Sequence, residues 1–387
     1  MCHWVITRGM ERGTLSRTSR SVRSIATTAA VAALVGFTAS SASAAAADYA
    51  VTATIASTTG PIGVAVNEST GTLYVPSLSG GTVAVIDGTT NATTATVTVG
   101  PHPYAVAVDQ STGLVYVANS TSSSVSVIDG ASNTVAATIA VGTGPSAIAV
   151  DSTTHRVYAV NFNDDSVSVI DGATNTVVST VAVGGDPIAI AVDESTNTIY
   201  VANRLDDTIS VIDGVTATVT STIATGSEPA GVAVDAVSGV VYVAESGADT
   251  VSTFSGLALV STIAVGAYPT AIAFDAAAAT LFVANTSDGT LSVIDTSSGL
   301  VAKTLTIGTN PSAIAVNSAT GVAYSANHGD NTVSVISVPP AAAPAGEALA
   351  RTGGSASPVI AALGLGVLAL GAVALTFAVR SGRRAGQ

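Results

Sequence analysis

The sequence predicts an all-β chain folded as a ring of seven four-stranded antiparallel blades, on three observations. A unit of four short alternating runs repeats seven times. Its opening proline recurs at a near-constant step. The last unit is one run short, and the chain has one such run to spare ahead of the first unit.

The repeat at 187–228 shows the unit most clearly, with β-type runs at 188–192, 198–202, 208–212 and 218–224. Each alternates apolar with small or polar residues, the period of two that a half-buried strand requires. The connections carry Asp193-Glu194-Ser195, Asn203-Arg204-Leu205-Asp206-Asp207 and Asp213-Gly214, residue types that favour turns. Four antiparallel strands in about 42 residues is the size of one propeller blade.

Pro61, Pro103, Pro145, Pro187, Pro229, Pro269 and Pro311 open the seven units, at steps of 42 residues except for one of 40. The second run keeps an aromatic in register: Tyr74, Tyr116, Tyr158, Tyr200, Tyr242, Phe282 and Tyr324. The third ends on Asp87, Asp129, Asp171, Asp213 and Asp295, with Ser255 and Ser337 as departures. The short step falls in unit five, where Phe254-Ser255-Gly256-Leu257 implies a tighter turn. A deletion confined to a turn leaves strand pairing intact.

Unit seven runs into Pro339-Pro340 after its third run. The orphan run at 50–56 matches the missing type. Ile55 stands six residues before Pro61, just as Ile139, Val181, Ile223, Ile263 and Leu305 stand six before their prolines. It is expected to complete the last blade, closing the ring and removing the open edges at which other chains would pair.

Tyr200-Val201-Ala202-Asn203 followed by Ser210-Val211-Ile212-Asp213 resembles the YVTN β-propeller repeat family of bacterial and archaeal surface proteins. The resemblance spans about residues 50 to 338 and implies the propeller fold. It implies no particular activity, because propellers carry many unrelated functions.

Residues 1–46 differ sharply from the repeats. Arg8, Arg12, Arg17, Arg20 and Arg23 precede an apolar run at 25–37 and small residues ending Ala42-Ser43-Ala44. That is the make-up of a secretory signal with an A-x-A site, and Met10 is an alternative start. The one cysteine, Cys2, lies in this segment, so the exported chain depends on packing and ring closure instead of disulfides. The propeller is assigned to 47–338. Between Asp48 and Pro340, Arg156, Arg204 and Lys303 face 23 of the 25 acids, Glu11 and Glu347 lying outside, for a net charge of −20. Nucleic acid and anionic lipid surfaces are poor partners for such a domain.

Residues 339–348 read as a Pro/Ala spacer, and 349–387 as one functional unit. Leu349, Ala350, Arg351, Thr352 and Gly353 precede 21 mostly apolar residues at 359–379, long enough to span a bilayer. Arg380, Arg383 and Arg384 follow, which places the tail in the cytoplasm. Motif, span and basic tail in this order resemble a sortase cell-wall sorting signal, in the LAxTG form of high-G+C Gram-positive bacteria. The resemblance implies a sortase and a cell-wall precursor as partners, cleavage between Thr352 and Gly353, and attachment through Thr352. Membrane contact is then limited to the span. A permanent tail anchor is the alternative.

In an up-and-down meander, loops entering the first strand share a face with loops joining strands two and three, called the top. The remaining loops lie on the bottom. Asp109, Asp151, Asp193, Asp235 and Asp275, and the recurring Asp at the end of the third strand, fall on the bottom beside Ser, Thr, Ala and Gly. They read as Asx-turn residues bonding local backbone. The glycines are expected at turns that need positive φ.

The top-face acids read as non-recurring. Asp164, Asp165, Asp186, Asp206, Asp207, Glu228, Glu245 and Asp249 gather on blades three to five, with Arg204 their only internal counter-charge, and Asp288 and Asp330 follow on blades six and seven. Carboxylates on adjacent loops suit Ca²⁺, which takes six to eight oxygens. A weak Ca²⁺ site, or a docking surface for a cationic partner, is therefore centred on Asp164, Asp165, Asp206, Asp207 and Asp249. An ordinary solvated face is the alternative, and no other cofactor is implied.

No constellation for catalysis stands out. His102, His155 and His328 fall in different blades, and no nucleophile elbow, zinc spacing or phosphate-binding loop is present. A lactonase-like propeller hydrolase needs ionisable groups converging on the channel, yet the first runs, such as 147–150 and 189–192, are small and apolar. The expected function is an exported, wall-anchored, non-catalytic binding or display module for a surface glycan or protein. A lactonase-like hydrolase and a structural wall or surface-layer component are the alternatives.

Overall fold

The computed structural model describes residues 46 and 48–339. The rest of the signal segment, the spacer beyond Pro339, the sorting motif, the apolar span and the basic tail lie outside the described residues. Among the described residues, no helix is long and apolar enough to cross a membrane.

Seven four-stranded antiparallel sheets are present, each in simple meander order. Blade four comprises Pro187–Asp193, Thr198–Asn203, Thr208–Asp213 and Thr218–Ala224. The first three extend the runs predicted from alternation by one or two flanking residues, and the fourth matches its run. The ring closes as expected. Ala50–Ala56 lies beside Thr332–Ser337 as the outer strand of blade seven, with Ala50 opposite Ser337 and Ala56 opposite Thr332. All seven blades are therefore completed between Ala50 and Ser337, so every blade takes all four of its strands from this segment. Tyr49, just ahead of it, sets its ring edge-on against Phe282 of blade six at 5.0 Å, a favoured aromatic geometry.

The core lies between blades. The two middle strands are covered on both faces by neighbouring blades, so they are buried nearly throughout. In blade four Ile199, Val201, Ile209 and Ile212 are fully buried. The outer strand has one covered face, and of Thr218–Ala224 only Ile223 is buried. The β-branched residues that dominate these strands fit a pleated surface packed against another.

Two departures have local causes. In blade five Ser255 pairs with Ala258 across Gly256-Leu257, and Gly256 has a φ of 58°, so the two-residue deletion is absorbed in the turn as expected. In blade one the first strand is shortened to Ala65–Asn67. Pro76 stands where blades two and four have Ala118 and Ala202. Proline has no N–H to donate, so pairing there falls to an isolated Pro61–Ser77 bridge.

The glycine expectation needs a correction. Gly71, Gly113 and Gly239 do have positive φ, but Gly88, Gly130, Gly172 and Gly214 do not. A Cβ on Gly130 would stand 2.6 Å from the Gly113 carbonyl and 2.7 Å from the Tyr74 hydroxyl of the preceding blade. Gly172 meets Tyr116 at 2.8 Å, Gly214 meets Tyr158 at 2.8 Å, and Gly88 meets Tyr324 at 2.9 Å. At these four junctions the second-strand tyrosine of one blade reaches the bottom turn of the next and glycine gives it room, whereas in blade six Thr296 meets Tyr242 instead. Burial, aided by neighbouring Asp carboxylates, pushes the Tyr116 and Tyr158 hydroxyls up to about 12.

Candidate functional site

The first strands surround the central channel, and each is irregular at the same place. Pro103 pairs with Asn119 and Ala105 with Ala118, which leaves Tyr104 unpaired between them. Ser146, Ile188, Ala230, Thr270 and Ser312 are skipped in the same way. A bulge re-aims the side chain it carries. These six residues, with Ile62 of blade one, line a single cavity of about 400 Å³ at the top of the channel. Two residues further along each strand, Val64, Val106, Ile148, Ile190, Val232, Ile272 and Ile314 form an aliphatic collar.

Arg204, Ser246, Tyr268 and Thr286 complete the rim, and Arg204 is the one charged residue in the lining. Its Nη2 lies 3.4 Å from Asp186 Oδ2, and its guanidinium carbon lies 5.9 Å from the centre of the Phe162 ring, a cation–π arrangement. Burial pushes the Tyr104 hydroxyl up and the charge of Arg204 pulls it back, so the two groups share one space.

Most rim hydroxyls are already engaged in joining blades. Ser146 Oγ donates to the Pro187 carbonyl at 3.2 Å, Thr286 Oγ1 to the Pro311 carbonyl at 2.7 Å, and Ser312 Oγ to the Pro61 carbonyl at 3.4 Å. The hydroxyls of Tyr104 and Tyr268 make no hydrogen bond among the described residues. Tyr268 has a φ of 56°, the left-handed conformation shared by every residue that precedes an opening proline, from Gly60 to Asn310. Its N–H donates to Asp249 Oδ1 at 2.8 Å and its carbonyl accepts from the Thr286 N–H at 2.9 Å.

The acids of the top face do recur, contrary to the sequence reading. Asp164, Asp206, Asp288 and Asp330 hold one register position, and Asp165, Asp207 and Asp249 hold the next. Those at the first position cap the loop entering their own blade. Asp164 accepts the Thr143 N–H at 2.5 Å and Asp206 the Gly185 N–H at 2.7 Å. Those at the second have φ of 45–56° and cap the loop entering the next blade. Asp165 accepts the Asp186 N–H at 3.1 Å, and Asp207 the Glu228 N–H at 2.7 Å. Glu245 is buried and accepts from Gly226 N–H and the Thr250 hydroxyl, both at 2.7 Å. The structure brings the five sequence-selected aspartates onto adjacent loops and turns each towards backbone. Among the described residues, no group of three or more His, Cys, Asp or Glu side chains is placed to hold a metal.

A test follows from the capping geometry. Asp206→Ala is expected to lower the melting temperature, whereas Asp206→Asn, which retains an acceptor oxygen, leaves it close to wild type. Differential scanning calorimetry separates the two, and equal losses would show that charge matters and not the cap.

The bottom face follows expectation. Asp151 Oδ1 accepts the N–H groups of Thr153 and Thr154 at 2.9 and 3.0 Å, the Asx-turn pattern. His155 Nδ1 lies 2.9 Å from Asp109 Oδ2 across two blades, so this histidine joins turns and stands apart from His102 and His328.

Tyr104 and Tyr268 were not singled out from the sequence, although a signal for Tyr104 was present. At the position after the opening proline the seven units carry Ile62, Tyr104, Ser146, Ile188, Ala230, Thr270 and Ser312. That position varies, while the next holds only Gly or Ala. Variation at one register of an otherwise uniform repeat marks the residues that face something other than a neighbouring blade.

A family profile described as YNCE-like beta-propeller matches residues 137–233. With the seven sheets, that settles the architecture. The chain is a repeat β-propeller. No curated protein sequence matches it. Among solved structures, the propeller is similar to Kuenenia stuttgartiensis hydrazine synthase, with 20% identity and a TM-score of 0.65, over 72% of this chain and 95% of that chain. At that identity the likeness shows the fold alone.

Proposed function

We propose that this propeller is an exported, cell-wall-anchored binding module without catalytic activity, and that its ligand enters the top mouth of the channel. The composition of the cavity carries this reading. Its lining combines one arginine, two tyrosines with uncommitted hydroxyls and an aliphatic collar, and contains no Asp, Glu or His. General acid–base or nucleophilic hydrolysis needs titratable groups within hydrogen-bond reach of the reacting atoms, so the lining favours binding over a lactonase-like reaction. The wall-anchoring part rests on the sequence outside the propeller, the order of Leu349 to Gly353, apolar span and basic tail.

Two experiments test the two parts. Thr352→Ala is expected to move the protein from the wall fraction to the membrane or the medium. A variant that still co-purifies covalently with peptidoglycan fragments would remove the sortase reading. A glycan and secreted-protein array probed with residues 46–339 is expected to return a specific partner. An empty array would favour the structural alternative.

A further inference from the structure

We infer that the mouth of the channel binds a small monocarboxylate with a hydrocarbon body, the carboxylate held by Arg204 and Tyr104 and the body seated on the aliphatic collar. This deepens the binding role proposed above and rests on it.

The size is suitable, since cavities of about 300–1,000 Å³ take small molecules and this one is about 400 Å³. The polar chemistry is one-sided. Hydroxyls from Ser146, Ser246, Thr286 and Ser312 already donate to backbone carbonyls. What stays uncommitted is the Tyr104 hydroxyl, the Tyr268 hydroxyl and the part of the Arg204 guanidinium not facing Asp186. A guanidinium offers five N–H donors in a planar fork, and one of its nitrogens is engaged by Asp186. An acceptor with two oxygens in a plane matches the remainder.

Charge narrows the class to a single negative charge. The rim loops carry Asp186, Asp206, Asp207 and Glu228, and a dianion such as a phosphate monoester would be repelled by them. A cation fits no better, because no carboxylate lines the cavity itself. Arg204 is held ready from two sides, by the Phe162 ring and by Asp186. Below it Val106, Ile148 and Ile190 offer only carbon, so the part of the ligand beyond its carboxylate is apolar. Tyr268, 39% exposed, stands at the rim where it covers that body.

The test titrates residues 46–339 with sodium hexanoate, and in parallel with 1-hexanol and hexylamine, by calorimetry and ligand-observed NMR. Hexanoate is expected to bind saturably, with hexanol and hexylamine at least about ten-fold weaker, because a hydrogen bond to a charged group contributes about 1.5–3 kcal/mol. Arg204→Gln should weaken hexanoate about ten-fold or more and Tyr104→Phe by a smaller factor, with unchanged circular dichroism. Arg156→Gln, on the bottom face, should leave binding as it was. Equal binding of hexanol and hexanoate, indifference to Arg204→Gln, or no saturation by hexanoate would each overturn the site. An array partner that binds wild type and Arg204→Gln equally would overturn this inference and leave the binding role standing. Loss of both array partners and hexanoate binding would remove both.

Discussion

Deleting Ala50–Ala56 is expected to abolish cooperative unfolding of the ring and to yield oligomers. That strand pairs with Thr332–Ser337 from Ala50 opposite Ser337 to Ala56 opposite Thr332, and Ile55 is 4% exposed within the cluster that includes Val333 and Val335. Losing about half a dozen backbone hydrogen bonds at roughly 1 kcal/mol each, with about 2–3 kcal/mol for one buried isoleucine, removes an amount comparable to the ~5–15 kcal/mol that stabilises a typical domain. The deletion also bares the backbone of Thr332–Ser337 as a new edge, and unpaired edges recruit strands from other chains. Calorimetry and light scattering read both effects. A peptide of residues 48–58 added in trans should restore the monomer, since an extended segment can add to an open sheet edge. A truncated protein that stays monomeric with an unchanged melting midpoint would contradict the closure.

The fold was legible because a repeat prints its register seven times. The prolines located the blades, the alternation located the strands, and the orphan Ala50–Ala56 located the closure. The site was harder to see for a physical reason. Tyr104 reaches the cavity because the ladder skips it, and a bulge leaves no mark in alternation. The acids misled for the opposite reason. Asp164 and Asp206 recur, but blade five has Ala248 at that position and Asp249 at the next. Two registers with separate capping roles looked like one irregular cluster. The sequence offered no way to see that Asp165 reaches into the next blade's loop, because that contact depends on how blades pack.

The glycine after the third-strand aspartate shows the same limit, and it yields the second large prediction. Asp-Gly reads as turn chemistry, and by that reading Gly130 should tolerate a side chain once φ is permissive, as it is. The structure gives it another reason to be glycine, the Tyr74 hydroxyl from the neighbouring blade and the Gly113 carbonyl, both under 3 Å from where a Cβ would sit. Gly130→Val is therefore expected to cost about 3 kcal/mol or more, the upper range for forcing atoms into a packed interface. Gly239→Ala supplies the contrast. Its φ is +70° and nothing lies within 4 Å of its Cβ position, so it costs only the ~1–2 kcal/mol of left-handed backbone strain. Stability alone does not separate contact from strain, but a double-mutant cycle does. Tyr74→Phe removes the hydroxyl and should recover part of the Gly130→Val loss, with a coupling of at least ~0.5 kcal/mol, while the Gly113 carbonyl keeps the rescue incomplete. The same Tyr74→Phe change should show no coupling to Gly239→Ala. If Gly130→Val proves mild, or its cost is indifferent to Tyr74, then the tyrosine contact does not account for the glycine and the repeating Asp-Gly is a turn preference alone.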